Sequence, residues 1–523
     1  SGGAFGGRSE VAPGDLVASL LSIKAGRPVK LVLSREENAT SSRQVHDIVA
    51  VVKTGMKKDG TVIAKDFKVI YDGGAYSSTG PIATSIPFYV YEECYRFPNV
   101  RYNGYRVFTN KGIRGMYGCH GRAFLAGNEA QMDIMAKELG IDPVEIRLKN
   151  GLTAGETTAT KSKITSCGLA ETIRAASEKT KFKERWAQKE DNKGIGMGCI
   201  AIMCGFPMGF RSGSSCYVKI NDDGQVTLVT GLVDNGQGNE SMVVQVASEV
   251  LGVPMEDINL VNADTEVTNL DPGAYSQAAA FVGANAVKAA CENARKRIVS
   301  IAAEKLGTEE NDIGLKNRMA YSISMPDKKM PISWVVREAF FRGEPIVATG
   351  SYFPNIDFER EWVSRPWGQM AGTFSFGTSV AEVDIDPETG KITMPRFTAA
   401  HDCGRPINPM AVEGQMDGSI QQAGVATITE GNVWDNGFLL NPDLLEYKVP
   451  LACDMPEIET LIVESHDPDG PFGAKEGGLT VRMNAYSAVA CAVTNATGKL
   501  FSELPLTPDK VLVLLDDNKG VKG

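Results

Sequence analysis

Apolar positions recur along this chain with two periods, one of two residues and one of three to four, and the two alternate irregularly. Leu16, Leu20 and Leu21 share a helical face after a Gly-rich start, and residues 28–34 (P-V-K-L-V-L-S) read as a strand. Residues 49–52 and 61–71 are strands flanking K-K-D-G, whose Asp-Gly step predicts a hairpin. Residues 101–109 form a further strand and 124–139 a long helix. In I-D-P-V-E-I-R, Asp142 is the N-cap and Pro143 the first residue of a second helix. The polar stretch 150–195 is helical only in part.

The second half opens on a buried strand at 194–204. Residues 215–220 and 226–230 pair across N-D-D-G, and the latter runs through D-N-G-Q-G-N-E into a helix at 241–251. A short strand at 258–262, a small-residue helix at 274–290 and a hairpin of 378–386 with 391–399 follow. Helices at 412–428 and 483–495 complete the pattern. Strands followed by packing helices predict an α+β fold with two large mixed domains, 1–190 and 191–523, and a ligand between them.

Composition narrows the function. The chain has 523 residues, 43% of them hydrophobic, 23% charged, and 55 are glycine, as in a globular protein rich in tight turns. The net charge of −10 is spread along the chain and argues against a nucleic-acid surface, which needs a basic stripe. No run approaches the ~18 apolar residues of a spanning helix, and no signal peptide pattern is present, so a cytoplasmic protein is expected. The ten cysteines include no C-x-x-C pair and the four histidines are far apart, which argues against an iron–sulfur or zinc site in this chain. S-G-G-A-F-G-G-R at the start reads like the middle of a domain, so an upstream part on the same or a separate polypeptide is expected.

Candidate chemistry gathers in Gly-rich loops, where the backbone can approach a ligand closely: residues 2–7, 231–238, 414–418 and G-P-F-G-A-K-E-G-G-L at 470–479. The turn at 234–238, between strand and helix, is arranged to offer backbone N–H groups to an anion such as phosphate. Arg114, between a strand and glycine, is a candidate clamp for an oxyanion or carboxylate; the plain alternative is a surface arginine on a turn.

The order of these motifs resembles the large, molybdenum-cofactor-binding subunit of the xanthine dehydrogenase, or molybdenum hydroxylase, family. G-G-A-F-G-G-R at 2–8 is similar to its G-G-G-F-G-G-K, and R-G at 114–115 to its arginine-bearing substrate loop. M-D-I-M-A-K-E-L-G-I-D-P-V-E-I-R-L-K-N, D-N-G-Q-G-N-E, A-E-V-D-I-D-P-E-T-G-K-I, H-D-C-G-R-P-I-N-P, G-Q-M-D-G-S-I-Q-Q and G-P-F-G-A-K continue the resemblance over nearly the whole chain. It implies a molybdopterin, as the cytosine dinucleotide, that holds molybdenum through its own sulfurs with no direct protein ligand. Gly3, Ala4, Phe5 and Gly6 would lie beside the metal. Gly236, Gln237, Gly238, Ser276, Gln277, Gln415, Gln422 and Lys475 would bind the cofactor, and Arg114 would orient the substrate. Iron–sulfur clusters and FAD are implied only on partner subunits.

The chain departs from the family pattern at one telling place. The family's last loop reads G-A-K-G-x-G-E, its glutamate serving as the base; here G-A-K-E-G-G-L puts Leu479 in that slot, lining the substrate pocket. Glu476 stands three residues earlier and is the alternative carboxylate, or else an exposed loop residue. The loop after Arg114 carries Tyr117 and His120, candidate proton donors that could equally pack the loop. The implied function is a molybdenum-dependent oxidoreductase of an aromatic or heteroaromatic molecule, working by hydroxylation or, as in the hydroxybenzoyl-CoA reductase branch, by reductive dehydroxylation. A cofactor-free scaffold is the alternative from another class.

Overall fold

The computed structural model describes residues 3–7, 10–89, 94–115, 118, 122–188, 190–206, 212–357, 368–501 and 503–516. Its centre is a largely antiparallel sheet built on the long strand Thr373–Ile385. On one side this strand pairs with Lys193–Cys204, register Thr373↔Cys204 through Asp384↔Lys193. On the other it pairs with Arg396–Asp402, which is parallel to Glu457–Val463. Both long strands are buried along most of their length, as their near-continuous apolar runs require. A second sheet orders Val347–Tyr352, Ser214–Ile220, Val226–Thr230 and Ile258–Asn262. The third joins Ile48–Met56 and Val62–Asp72 as the expected hairpin, with Asn99–Val107 added in parallel.

The Leu479–Thr497 helix lies directly on Lys193–Cys204 because every second residue over 194–198 is glycine. A Cβ at Gly194, Gly196 or Gly198 would sit 2.0–2.5 Å from helix backbone atoms of Ala492 and Asn484. Side chains larger than hydrogen on that face would push the helix off the sheet. Arg147 ties this core to the N-terminal part. It reaches Glu129 at 3.0 Å and Asp133 at 2.8 Å, both on the Arg122–Leu139 helix, and donates to Met197 O at 3.3 Å.

Several expectations change in detail. Residues 28–34 have no regular secondary structure and belong to no sheet among the described residues, and Leu31, Val32 and Leu33 are exposed. The small-residue helix begins later and runs further, as a π turn at Ala279–Gly283 followed by Ala284–Leu306. Ser276 and Gln277, with φ of 51° and 55°, break it at the front. The 412–428 helix is Pro409–Ser419 followed by a second π turn, Ile420–Val425. The last helix starts four residues earlier than its apolar pattern predicts, at Leu479, which brings the Gly-rich loop to its N-terminus.

Candidate active site at the start of the last helix

The loop before Leu479 is held from below by a buried ion pair. Lys475 Nζ lies 2.7 Å from Asp402 Oδ2, both side chains wholly enclosed, and also donates to Phe374 O at 3.0 Å. Asp402 accepts further bonds from Gly168 N at 2.9 Å, Gly404 N at 3.1 Å and Ser465 Oγ at 2.6 Å. Lys475 N donates to Cys403 O, so H-D-C-G-R runs alongside G-A-K. The ammonium of Lys475, expected on the cofactor, is turned into the protein and spent on this pair.

Glu476 is only 4% exposed, which removes the reading of a solvated loop carboxylate. One carboxylate oxygen accepts from Leu479 N at 3.0 Å; the other accepts from Thr480 N at 3.2 Å and from Thr480 Oγ1. It therefore satisfies the first N–H groups of the helix and sits at the positive end of its dipole. Its carbonyl is 3.0 Å from Nε2 of the buried His401. Burial, with the Glu476 carboxylate second, holds the nearby Cys204 thiol well above its ordinary range. Leu479 itself is the first helical residue and packs partly into the core.

Arg482 was not legible as a site residue by motif, yet it is the lone charged residue of the Leu479–Thr497 helix. It is 7% exposed, and its Nε and Nη1 have no hydrogen-bond partner. The guanidinium lies over the Phe5 ring, 5.2 Å from its centroid. A Cβ on Gly118 would strike Arg482 Nη2 at 2.1 Å. Gly118 N in turn donates to Phe5 O at 2.6 Å, and Arg43 Nη1 donates to Gly6 O at 2.6 Å. The Gly-rich start, the loop after Arg114 and the last helix thus meet at one place. Phe5 is exposed there and has a φ of 45°, a conformation that bulky residues adopt only where the surroundings impose it. Gly3 has a φ of 73°, and Gly7 N closes the turn on Ala4 O at 2.8 Å.

Arg114 is fully buried, which removes the surface reading. Nη1 donates to Val45 O at 2.6 Å, and the guanidinium stacks over Trp434 at 4.5 Å. Nε and Nη2 have no hydrogen-bond partner, the Asp47 carboxylate standing 3.6 Å from Nη2. Burial lowers its pKa, against the pull of Asp47 and Asp72. The neighbouring His46 is pushed down to about 3, by burial first and then by Arg106 and Arg114. Neutral His46 in the fold and a protonated one below pH 6.5 in the unfolded chain mean that stability falls as pH drops from 6.5 toward 3. At about 1.4 kcal/mol per unit, His46 should make the protein roughly 2 kcal/mol less stable at pH 5 than at pH 7. Urea unfolding at the two pH values should show that difference shrink in His46→Gln.

The other sequence candidates divide. Gln415 and Gln422 have partly exposed side-chain amides with no hydrogen bond to the described residues, while Gly478 packs against the Gln415 backbone. A Cβ on Gly478 would be 2.8 Å from Gln415 Cβ. Ser276 and Gln277 form a left-handed pair, Ser276 O accepting from Gly205 N at 2.9 Å. At the 234–238 turn the anion is supplied by the chain itself. Asp234 Oδ1 accepts from Gly236 N at 2.6 Å and Gly238 N at 3.4 Å, and Asp234 Oδ2 from Glu240 N at 3.3 Å. Gln237 Oε1 accepts from Asn235 N at 2.7 Å. Tyr117 and His120 lie outside the described residues. No group of three or more His, Cys, Asp or Glu side chains among the described residues is placed to hold a metal. Among them, too, no helix is long and apolar enough to cross a membrane.

Two family models, both described as a molybdopterin cofactor-binding domain, match residues 1–151 and 172–456. The chain belongs to this family and is of the large, molybdenum-binding subunit type found in xanthine dehydrogenase-like oxidoreductases. It is 28% identical to the xanthine dehydrogenase molybdenum-binding subunit of Escherichia coli O157:H7, over 98% of this chain and 68% of that one. With the nicotine 6-hydroxylase large subunit of Paenarthrobacter nicotinovorans it shares 27% identity, over 98% of this chain and 65% of the relative. Quinoline 2-oxidoreductase from Pseudomonas putida 86 superposes with a TM-score of 0.88 at 28% identity, covering 98% of this chain and 68% of that one.

Proposed function

We propose that this chain is the molybdopterin-cytosine-dinucleotide-binding subunit of a cytoplasmic complex that reductively removes a hydroxyl group from an aromatic or heteroaromatic molecule. The observation that carries the direction is Glu476. Leu479 cannot take a proton, and the one carboxylate close by in the loop has both oxygens occupied by the helix start. A site without a free base suits a reaction that consumes protons: two electrons and two protons convert the aromatic C–OH to C–H and release water.

The residues present fit such a cofactor. Left-handed residues at Phe5, Ser276 and Gln277 shape its surroundings, and the partly exposed amides of Gln415 and Gln422 bond none of the described residues. Phe5 and Gly6, the amides of Gln237, Gln415 and Gln422, and the Ser276–Gln277 turn would hold it, between a first domain to residue 190 and a second from 191. When bound, the cofactor supplies the redox-active molybdenum. Arg114 orients the substrate oxygen, and Leu479 keeps water from the pocket wall. Tyr117 and His120 are the candidate proton donors. Electrons arrive from iron–sulfur and FAD subunits.

Hydroxylation in the opposite direction is the second reading, favoured by the likeness to nicotine 6-hydroxylase and quinoline 2-oxidoreductase. Metal and pterin analysis of the natively purified complex should find about one molybdenum and one pterin per chain. None of either, from a host that makes the cofactor, leaves only a scaffold. A loaded complex should dehydroxylate with a low-potential donor; oxidation of a heterocycle with no reductive turnover would reverse the direction.

A further inference from the structure

We propose that Arg482 forms an anion subsite and selects substrates that carry a carboxylate. The inference rests on the catalytic reading above and names the charge of its substrate.

A guanidinium removed from water needs a counter-charge or a full set of acceptors, because an unpaired buried ion costs several kcal/mol. Three other buried cations among the described residues meet that demand. Lys475 has Asp402, Arg147 has Glu129 and Asp133, and Arg43 has Glu10 at 2.5 Å. Arg482 has no carboxylate within ion-pairing distance among the described residues, and two of its nitrogens bond nothing. It is not stranded deep in the core. It stands in the first turn of the helix, beside the exposed Phe5 ring and against Gly118, where three site segments meet.

The helix start adds a second reason. Leu479 and Arg482 are three residues apart, neighbours on one helical face. A carboxylate at the Leu479 position would lie within reach of the guanidinium and neutralise it. With leucine there and Glu476 tied to backbone N–H groups, the positive charge is left for a ligand. Arg's planar fork matches a carboxylate with two parallel hydrogen bonds, while the Phe5 face can carry an aromatic ring attached to it.

The test compares acids with their neutral amides on the natively purified complex. Calorimetry with benzoate and nicotinate should show them binding roughly 10- to 100-fold tighter than benzamide and nicotinamide, the range of charge-assisted hydrogen bonds. In Arg482→Gln that preference should collapse to about 2-fold or less, with molybdenum and pterin content unchanged, and Arg482→Lys should restore part of it. Leu479→Glu keeps the guanidinium but pairs it internally, and should abolish the preference as well. Equal binding of acids and amides to the wild-type complex overturns the proposal. So does loss of pterin from Arg482→Gln, which would give the guanidinium to a cofactor phosphate instead. A wild-type complex that lacks molybdenum sinks the catalytic reading itself, a different result from a loaded complex that ignores charge.

Discussion

Replacing Lys475 by methionine is expected to cost about 3–5 kcal/mol of stability, the penalty for leaving one member of a buried ion pair uncompensated. Asp402 would keep its bonds from Gly168 N, Gly404 N and Ser465 Oγ but lose the cation paired with it, in a place with no exposure to water. Urea or thermal unfolding of the purified complex measures the loss. The double variant Lys475→Met/Asp402→Asn should recover part of it, because no charge is left uncompensated and the amide oxygen still accepts from part of the donor set. Lys475→Met with unchanged stability and depleted pterin would instead make Lys475 a cofactor contact.

Arg114→Met should lower kcat/KM by about 10²–10³ on whichever hydroxyaromatic or heteroaromatic compound the loaded complex turns over, the usual cost of losing a positioned donor at a reacting oxygen. The bond to Val45 O and the stack on Trp434 hold the guanidinium in one orientation, with Nε and Nη2 left to bind a ligand. Arg114→Lys should not rescue it, since a lysine has neither the fork nor the flat face. Molybdenum content and unfolding midpoint are the controls. An Arg114→Met complex with undiminished kcat/KM and lowered stability would reduce Arg114 to a packing residue under Trp434.

Much of the fold was legible because its determinants are local. The Asp-Gly turn at Asp59–Gly60 closes its hairpin, with Gly60 N on Lys57 O at 2.9 Å, and Asp142 caps its helix through Val144 N at 2.8 Å. The alternate glycines of K-G-I-G-M-G were on the page too, but their purpose needs the helix that lies on them. The same holds for residues 28–34, whose apolar alternation promised a strand and whose neighbours include no strand to pair with. Period and turn chemistry say what a segment prefers, and say nothing of which segment comes to meet it.

The candidate site divides along the same line. Sequence alone determined the motif order, and with it the family, the Gly-rich loops, Arg114 and the leucine in place of the base. Tertiary structure decided which charges are free. Asp234 fills the turn that looked open to a phosphate, Asp402 takes Lys475, the helix start takes Glu476, and Arg482 is left without a partner. A charge is spent or available according to what the fold places within about 3 Å of it, and those neighbours come from distant parts of the chain.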